Sequence, residues 1–394
     1  MRRPRFPNAL LAILAHAAVL GATSARFPLL PATAHAAPET SAECGECHKE
    51  IYRTWSGSAH AKSMEDPIFL DAFRMTESRE GDEVARVCLR CHAPLFEHNN
   101  DRALAKKVTW EGVNCDVCHS LVSVDMSGFG PRQVLDVGEV KRGPIRDAAS
   151  GAHEVAYSEL HTTSLVCAGC HEFVNAEGTP LMTTYTEWQE SQAAKDGRNC
   201  QECHMGRTKA DVVDPKIARV ADSEINIHEV PGGHSLDQLH KAIGVLIESQ
   251  HVGDSLGIMV RLTNKGAGHA VPTGMPGRRV ILRVGVRVGG GATMDESRVY
   301  EKSFIDSDGS RIREDSRFFT KGVRLESDTR IQPDERRVET FRFPVPARST
   351  AYVTASLQYE HAPTGGPEGM TRITFYTDKR TIRPAEAGSD GVAQ

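Results

Sequence analysis

Every cysteine of this 394-residue chain belongs to one of five copies of a single pattern, Cys-x-x-Cys-His. The copies are Cys44/Cys47/His48, Cys88/Cys91/His92, Cys115/Cys118/His119, Cys167/Cys170/His171 and Cys200/Cys203/His204. Two cysteines three positions apart share one side of a helical turn, so both sulfurs reach the vinyl groups of one porphyrin. The adjoining histidine then meets the iron from the same side. Half a zinc site, a redox dithiol or a disulfide would use the cysteines but leaves the histidine after every pair unexplained. The pattern therefore implies five covalently attached haem c groups, with His48, His92, His119, His171 and His204 as proximal iron ligands.

Porphyrins change what the chain needs for a core. Aromatic residues are 6% of the sequence, thin for a chain of this length, but macrocycles supply buried apolar surface of their own. The motif region is expected to be short helices and loops, including helices near 49–64 and 187–196 and a loop at 123–143 with one strand inside it. The motif spacings of 44, 27, 52 and 33 residues fit no solenoid period.

The first residues read as an export signal. Arg2, Arg3 and Arg5 precede the apolar run Ala9 to Ala22, and Ala34-His35-Ala36 offers a small-x-small cleavage site. Haem is attached to such motifs after export, so signal and motifs agree on a periplasmic, extracellular or cell-surface location. No later stretch approaches the ~18 apolar residues of a membrane span. Loss of residues 1–36 removes four arginines and no acids, leaving 43 basic against 52 acidic side chains, a balance of −9. That charge argues against nucleic acid and favours transient docking with basic patches on redox partner proteins, an electron donor and an acceptor.

After about Pro215 cysteine disappears and period-two alternation takes over. Val280, Leu282, Val284, Val286 and Val288 fall on one face, with Arg279, Arg283 and Arg287 on the other. Similar runs at 256–263, 337–343, 352–359 and 372–376 are separated by turn clusters such as Gly289-Gly290-Gly291. The fold class is α+β: a mainly helical or irregular haem domain followed by an antiparallel β-sandwich. The expected boundaries are a signal peptide at 1–36, a five-haem domain at 37–215, a junction at 216–245, the sandwich at 246–383 and a disordered tail at 384–394.

Each iron has a sixth position, and its occupant separates an electron wire from a catalyst. Histidine there gives an iron that changes oxidation state with little rearrangement, whereas an open position binds substrate. Ten histidines after the signal lie outside the motifs. His60, His153, His161, His228 and His269 are the distal candidates. His269 stands in Asn264-Lys-Gly-Ala-Gly-His-Ala-Val-Pro-Thr-Gly274, where glycines permit close backbone approach and Pro272 and Gly274 shape a turn. His234 stands in for His228, His98 and His240 rank behind, and His251 and His361 read as surface residues.

Glu43 to His60, Cys91-His-Ala-Pro-Leu95, Gly112-Val-Asn-Cys-Asp-Val-Cys-His119 and Thr184-Tyr-Thr-Glu-Trp188 ahead of Cys200-Gln-Glu-Cys-His-Met205 together resemble the cytochrome c-554 type multihaem family. The resemblance covers roughly residues 41–205. The Gly-His-x-x-Pro-Thr-Gly loop and sandwich resemble a C-terminal domain of some larger relatives. It implies closely packed haems, mostly with two histidine ligands, and periplasmic or extracellular electron transfer. One namesake haem is thought to lack a protein sixth ligand, but the fifth motif and the sandwich depart from that four-haem pattern.

Three functions follow. The leading one is electron transfer through five haems. The second is a haem-dependent oxidoreductase acting on a small nitrogen or sulfur compound at one open haem, with Tyr157, Arg198 and His98 as candidate pocket groups. The third is a haem-wire subunit of a larger conduit or filament, in a homo- or hetero-oligomer.

Overall fold

The computed structural model describes residues 38–127, 130–218, 223–361 and 371–384. The expected export signal at 1–36 and all but the first residue of the expected tail lie outside them. Each motif sits on a helix: Ser41–Cys47, Asp82–His92, Cys115–His119, Leu165–His171 and Cys200–His204. The first and third of these helices start on capping side chains. Asn114 accepts from the Val117 N–H at 3.2 Å, and Thr40 and Glu43 close a reciprocal box at the first motif.

Lys49–Ser56 is helical, and turns rather than the expected longer helix carry the chain on to His60. The helix expected at 187–196 is two pieces, Thr184–Glu190 and Gln192–Lys195. Ser191 breaks it, its Oγ accepting from the Ala194 N–H at 3.3 Å. The loop at 123–143 holds more strand than expected. Leu121–Asp125 pairs with Arg132–Leu135, and Val140–Gly143 runs parallel to Glu154–Tyr157.

The C-terminal part is built from β1 (Ile243–Val252), β2 (Ser255–Asn264), β3 (Arg279–Val288), β4 (Thr293–Ile305), β5 (Arg324–Asp328), β6 (Arg336–Pro344), β7 (Ala351–Glu360) and β8 (Arg372–Ile382). They form two antiparallel sheets, ordered β6-β2-β1 and β5-β4-β3-β7-β8. Alternation explains how the sheets face each other. Leu256, Ile258, Val260 and Leu262 from β2 share one buried cluster with Val280, Leu282, Val284 and Val286 from β3 and Val353, Ala355 and Leu357 from β7.

The two-sheet region also packs on the motif region. Leu181 lies in one cluster with Phe304, Ile312 and Phe318. Asn175 Nδ2 donates to the Gly322 carbonyl at 2.7 Å, and Thr179 Oγ1 to that of Val323 at 3.0 Å. Short helix 315–321 lies against helix 67–80, with Arg79 paired to Glu314.

Candidate haem sites

Four of the five motif histidines face a second imidazole. Ring centres are 6.2 Å apart for His48 and His153, 6.3 Å for His171 and His60, and 6.3 Å for His204 and His269. His119 faces two rings, His228 at 6.5 Å and His161 at 6.0 Å. An iron held between two imidazoles needs about 2 Å to each nitrogen and ~1.1 Å more to each ring centre, hence roughly 6.3 Å in all. The pairs fit that requirement.

The rings are also turned the right way. His48 Nδ1 donates to the Val212 carbonyl at 2.7 Å, His119 Nδ1 to Arg142 at 2.6 Å and His204 Nδ1 to Pro231 at 2.7 Å. Opposite them, His153 Nδ1 donates to Glu154 at 3.0 Å, His228 Nδ1 to Asn226 at 2.7 Å and His269 Nδ1 to Ala270 at 2.9 Å. In each of these six rings Nε2 is thereby left as the unprotonated nitrogen. Burial keeps the rings neutral as well. It pushes His119 down to about 4 and His171 to about 3, and lowers His60, His228 and His269.

His161 is oriented differently, because its Nε2 contacts the Cys118 carbonyl at 2.8 Å. The second motif differs from the other four. The ring stacked on His92 belongs to Phe69, at 3.8 Å and 9°. His92 Nδ1 donates to the Ser63 carbonyl at 3.2 Å, and burial pushes its pKa down to about 4.

The motifs touch one another. Cys44 lies beside Cys115, Cys170 beside Cys91, and Cys167 beside Cys200, so the first motif adjoins the third and the fourth adjoins both second and fifth. His60 lies within electrostatic reach of His228 and His204, which ties the third motif to the fourth. Gly112, at φ 65°, lets the chain before the third motif pass against these groups. A Cβ there would lie 2.8 Å from the His60 carbonyl and 2.1 Å from Ser63 Oγ.

Exposure differs between the two cysteines of the fifth motif, Cys200 and Cys203. The motif makes Cys203 the second anchor of the fifth haem, yet it is exposed, while its partner Cys200 is half-buried against Cys167. The cause is its position. Cys203 falls in the last turn of Cys200–His204, a five-residue helix that buries none of its own residues. What holds it is a backbone bond, its carbonyl accepting from Gln238 Nε2 at 3.4 Å. Cys118, in the five-residue helix of the third motif, is also exposed as a residue, although that helix buries Asp116 and Val117 and burial raises the Cys118 thiol to about 11.

Other sequence candidates fall elsewhere. Arg198 pairs with Asp196 at 3.6 Å, Tyr157 accepts from Arg146 at 2.9 Å, His98 is exposed, and His240 Nε2 donates to the Phe375 carbonyl. Neither histidine read as a surface residue is one. His361 is buried, stacked on His234 at 3.8 Å beside Tyr359, and both ring nitrogens of the half-buried His251 are shielded from water. Asp315 and Arg278 were missed in the sequence. Asp315 acts electrostatically on Cys88, and Arg278 on His92, His234 and His361.

Residues 43–120 match the family described as Cytochrome c554 and c-prime. Cytochrome c-554 of Nitrosomonas europaea is 24% identical over 150 residues, which is 35% of this chain and 58% of that protein. The chain thus spans little more than half the length of that relative. Over that stretch the chain resembles the multihaem c-type cytochromes. A penta-haem cytochrome c552 from Thermochromatium tepidum shares the fold, with a TM-score of 0.71 at 23% identity, over 88% of this chain and 99% of that one. Among the described residues no helix is long and apolar enough to cross a membrane.

Proposed function

We propose that this cytochrome carries five haems, one on each motif, and relays electrons between partner proteins in the periplasm or at the cell surface. The observation that carries the reading is the set of imidazole pairs at 6.2–6.5 Å, in three of which Nδ1 of both rings is bonded to a backbone carbonyl and leaves Nε2 unprotonated. In this reading His153, His228, His60 and His269 are distal ligands opposite His48, His119, His171 and His204. His161 stands beside the third site without ligating. Cys203 joins Cys200 in anchoring the fifth haem.

The motif contacts support a path running from the first site to the third and the fourth, with the second and fifth joined to the fourth. Haems so held exchange electrons with little rearrangement, while the chain tunes each potential through burial and nearby charge. The export signal supports the location, and residues 37–215, 216–245 and 246–383 serve as haem domain, junction and sandwich.

The mass of the mature protein and its haem content are expected to give five haems per chain. Ferric EPR is expected to show four low-spin centres, each lost when its distal histidine becomes alanine. Fewer haems, or low-spin signals indifferent to those four substitutions, would overturn the reading.

Phe69 against His92 favours a second activity at one site. Phe69 covers one face of His92, and no imidazole stands across from His92 among the described residues, so in this reading the second haem would keep its sixth position open, suited to a haem-dependent oxidoreductase for a small nitrogen or sulfur compound. One high-spin centre that binds nitric oxide is the expected result, and five low-spin centres that ignore it would refute this activity.

A further inference from the structure

His269 reaches the fifth motif from the other half of the chain, and a buried charge pair holds it there. Glu187 lies on helix 184–190 with 9% of its side chain exposed, and Arg330 follows β5 with 5% exposed. Their closest N and O atoms are 2.7 Å apart. Glu187 Oε2 accepts from the Ala270 N–H at 3.1 Å and from Thr273 Oγ1 at 2.8 Å. Its Oε1 accepts from Thr183 Oγ1 at 2.7 Å. Both carboxylate oxygens are thus satisfied, and two of the donors belong to the His269 loop.

Arg330 grips the same loop from the sheet side. Nη1 donates to the Pro272 carbonyl at 3.3 Å, while Nε and Nη2 donate to Asp328 at 2.8 and 2.6 Å. Asn264 Nδ2 donates to the His269 carbonyl at 2.9 Å. Gly268 lies so close to the motif region that an added Cβ would sit 2.9 Å from Ala193 Cβ. The loop carries a ligand at its tip and ionic contacts on both sides.

We propose that Glu187 and Arg330 are positioning residues that seat His269 opposite His204 and, by their opposed charges, set the reduction potential of the haem held there. The proposal rests on the reading that His204 and His269 share a haem. Packing alone would need neither charge, since an amide and an alkyl chain of the same size would fill the space. Both charges act on the His269 ring, in opposite senses, and little water is present to screen them. A carboxylate near an iron favours the more positive ferric state, and a guanidinium favours the ferrous state.

The test is spectroelectrochemical titration, with ferric EPR, of the full holoprotein and its Glu187→Gln, Arg330→Met and double variants. Glu187→Gln is expected to raise one midpoint potential, Arg330→Met to lower the same one, and the double variant to return it towards the starting value. Arg330→Lys keeps the charge and is expected to hold the midpoint. Shifts of the same sign in both single variants, or no shift, would overturn the proposal. Glu187→Gln, nearly isosteric, decides the matter by itself if Arg330→Met does not accumulate. A third variant, His269→Ala, separates the levels: if every low-spin signal survives it, the haem assignment is wrong and the clamp falls with it. If one signal is lost but the charge variants move nothing, only the clamp falls.

Discussion

At the scale of single residues, a bond on the far side of each imidazole decides what the near side can do. A ring whose Nδ1–H is held by a backbone carbonyl presents a lone pair at Nε2 in a fixed direction. His228 meets that condition, with Nδ1 on Asn226 at 2.7 Å. His161, although its ring centre is nearer to His119, has Nε2 turned to the Cys118 carbonyl. His228→Ala is therefore expected to turn one low-spin haem high-spin in the ferric EPR spectrum, and His161→Ala to leave the low-spin count unchanged. The opposite pattern would exchange their roles. The motif histidines were legible in the sequence because the cysteines mark them. His161 carried the same local promise as His228, since spacing along a chain says nothing of where Nε2 points. His361 was misread for a related reason: it directly follows β7, and its burial comes from His234 and Tyr359, which no local pattern announces.

At the scale of elements, β4 contributes a buried lysine to the contact with the motif region. Lys302 Nζ donates to the carbonyls of Pro180 and Leu181 at 3.0 and 3.3 Å and to Thr183 Oγ1 at 3.0 Å. Burial, then the Arg330 charge, lowers its pKa from 10.5 to about 8, against the pull of Glu187, Asp328 and Glu172. Between those values the unfolded chain binds the proton more tightly than the folded one, so this lysine makes stability rise with pH from about 8 to 10.5 and fall again as pH drops through 8. The full change is about 3 kcal/mol. Denaturant unfolding at stepped pH is expected to show the rise in the parent protein and to lose it in Lys302→Met. An unchanged slope would remove Lys302 as its source. Glu187→Ala leaves Arg330 buried with Asp328 as its remaining carboxylate partner and is expected to cost about 3–5 kcal/mol in the same assay.

β4 also shows where the sequence was opaque. β2, β3, β6 and β7 alternate apolar with polar residues and could be read directly, whereas β4 begins Thr-Met-Asp-Glu-Ser-Arg and buries Lys302 and Ser303 through contacts with other elements. β1, at a sheet edge, exposes Leu246 and Val252, which blurs its period.

At the scale of the whole molecule, two kinds of core stand side by side. The two-sheet region and the helix leading into it gather twenty-three buried apolar side chains in one cluster, from Leu239 to Phe375. Clusters within the motif region gather six, around Leu89 and Phe96, and five, around Leu95 and Val117. Ordering a residue costs roughly 1–2 kcal/mol in backbone entropy alone, and burial of apolar surface must offset it. The two-sheet region has that surface in its own side chains. The motif region depends on the porphyrins and on the bonds its histidines make to iron. Chain produced in cells without haem attachment is therefore expected to fold in part: limited proteolysis should leave a resistant fragment spanning about residues 236–382, while residues 41–204 are cut throughout. The haem-loaded protein should resist in both regions. Protection of residues 41–204 in the haem-free chain would mean that the small clusters suffice, and that the macrocycles enter a fold already formed instead of creating it.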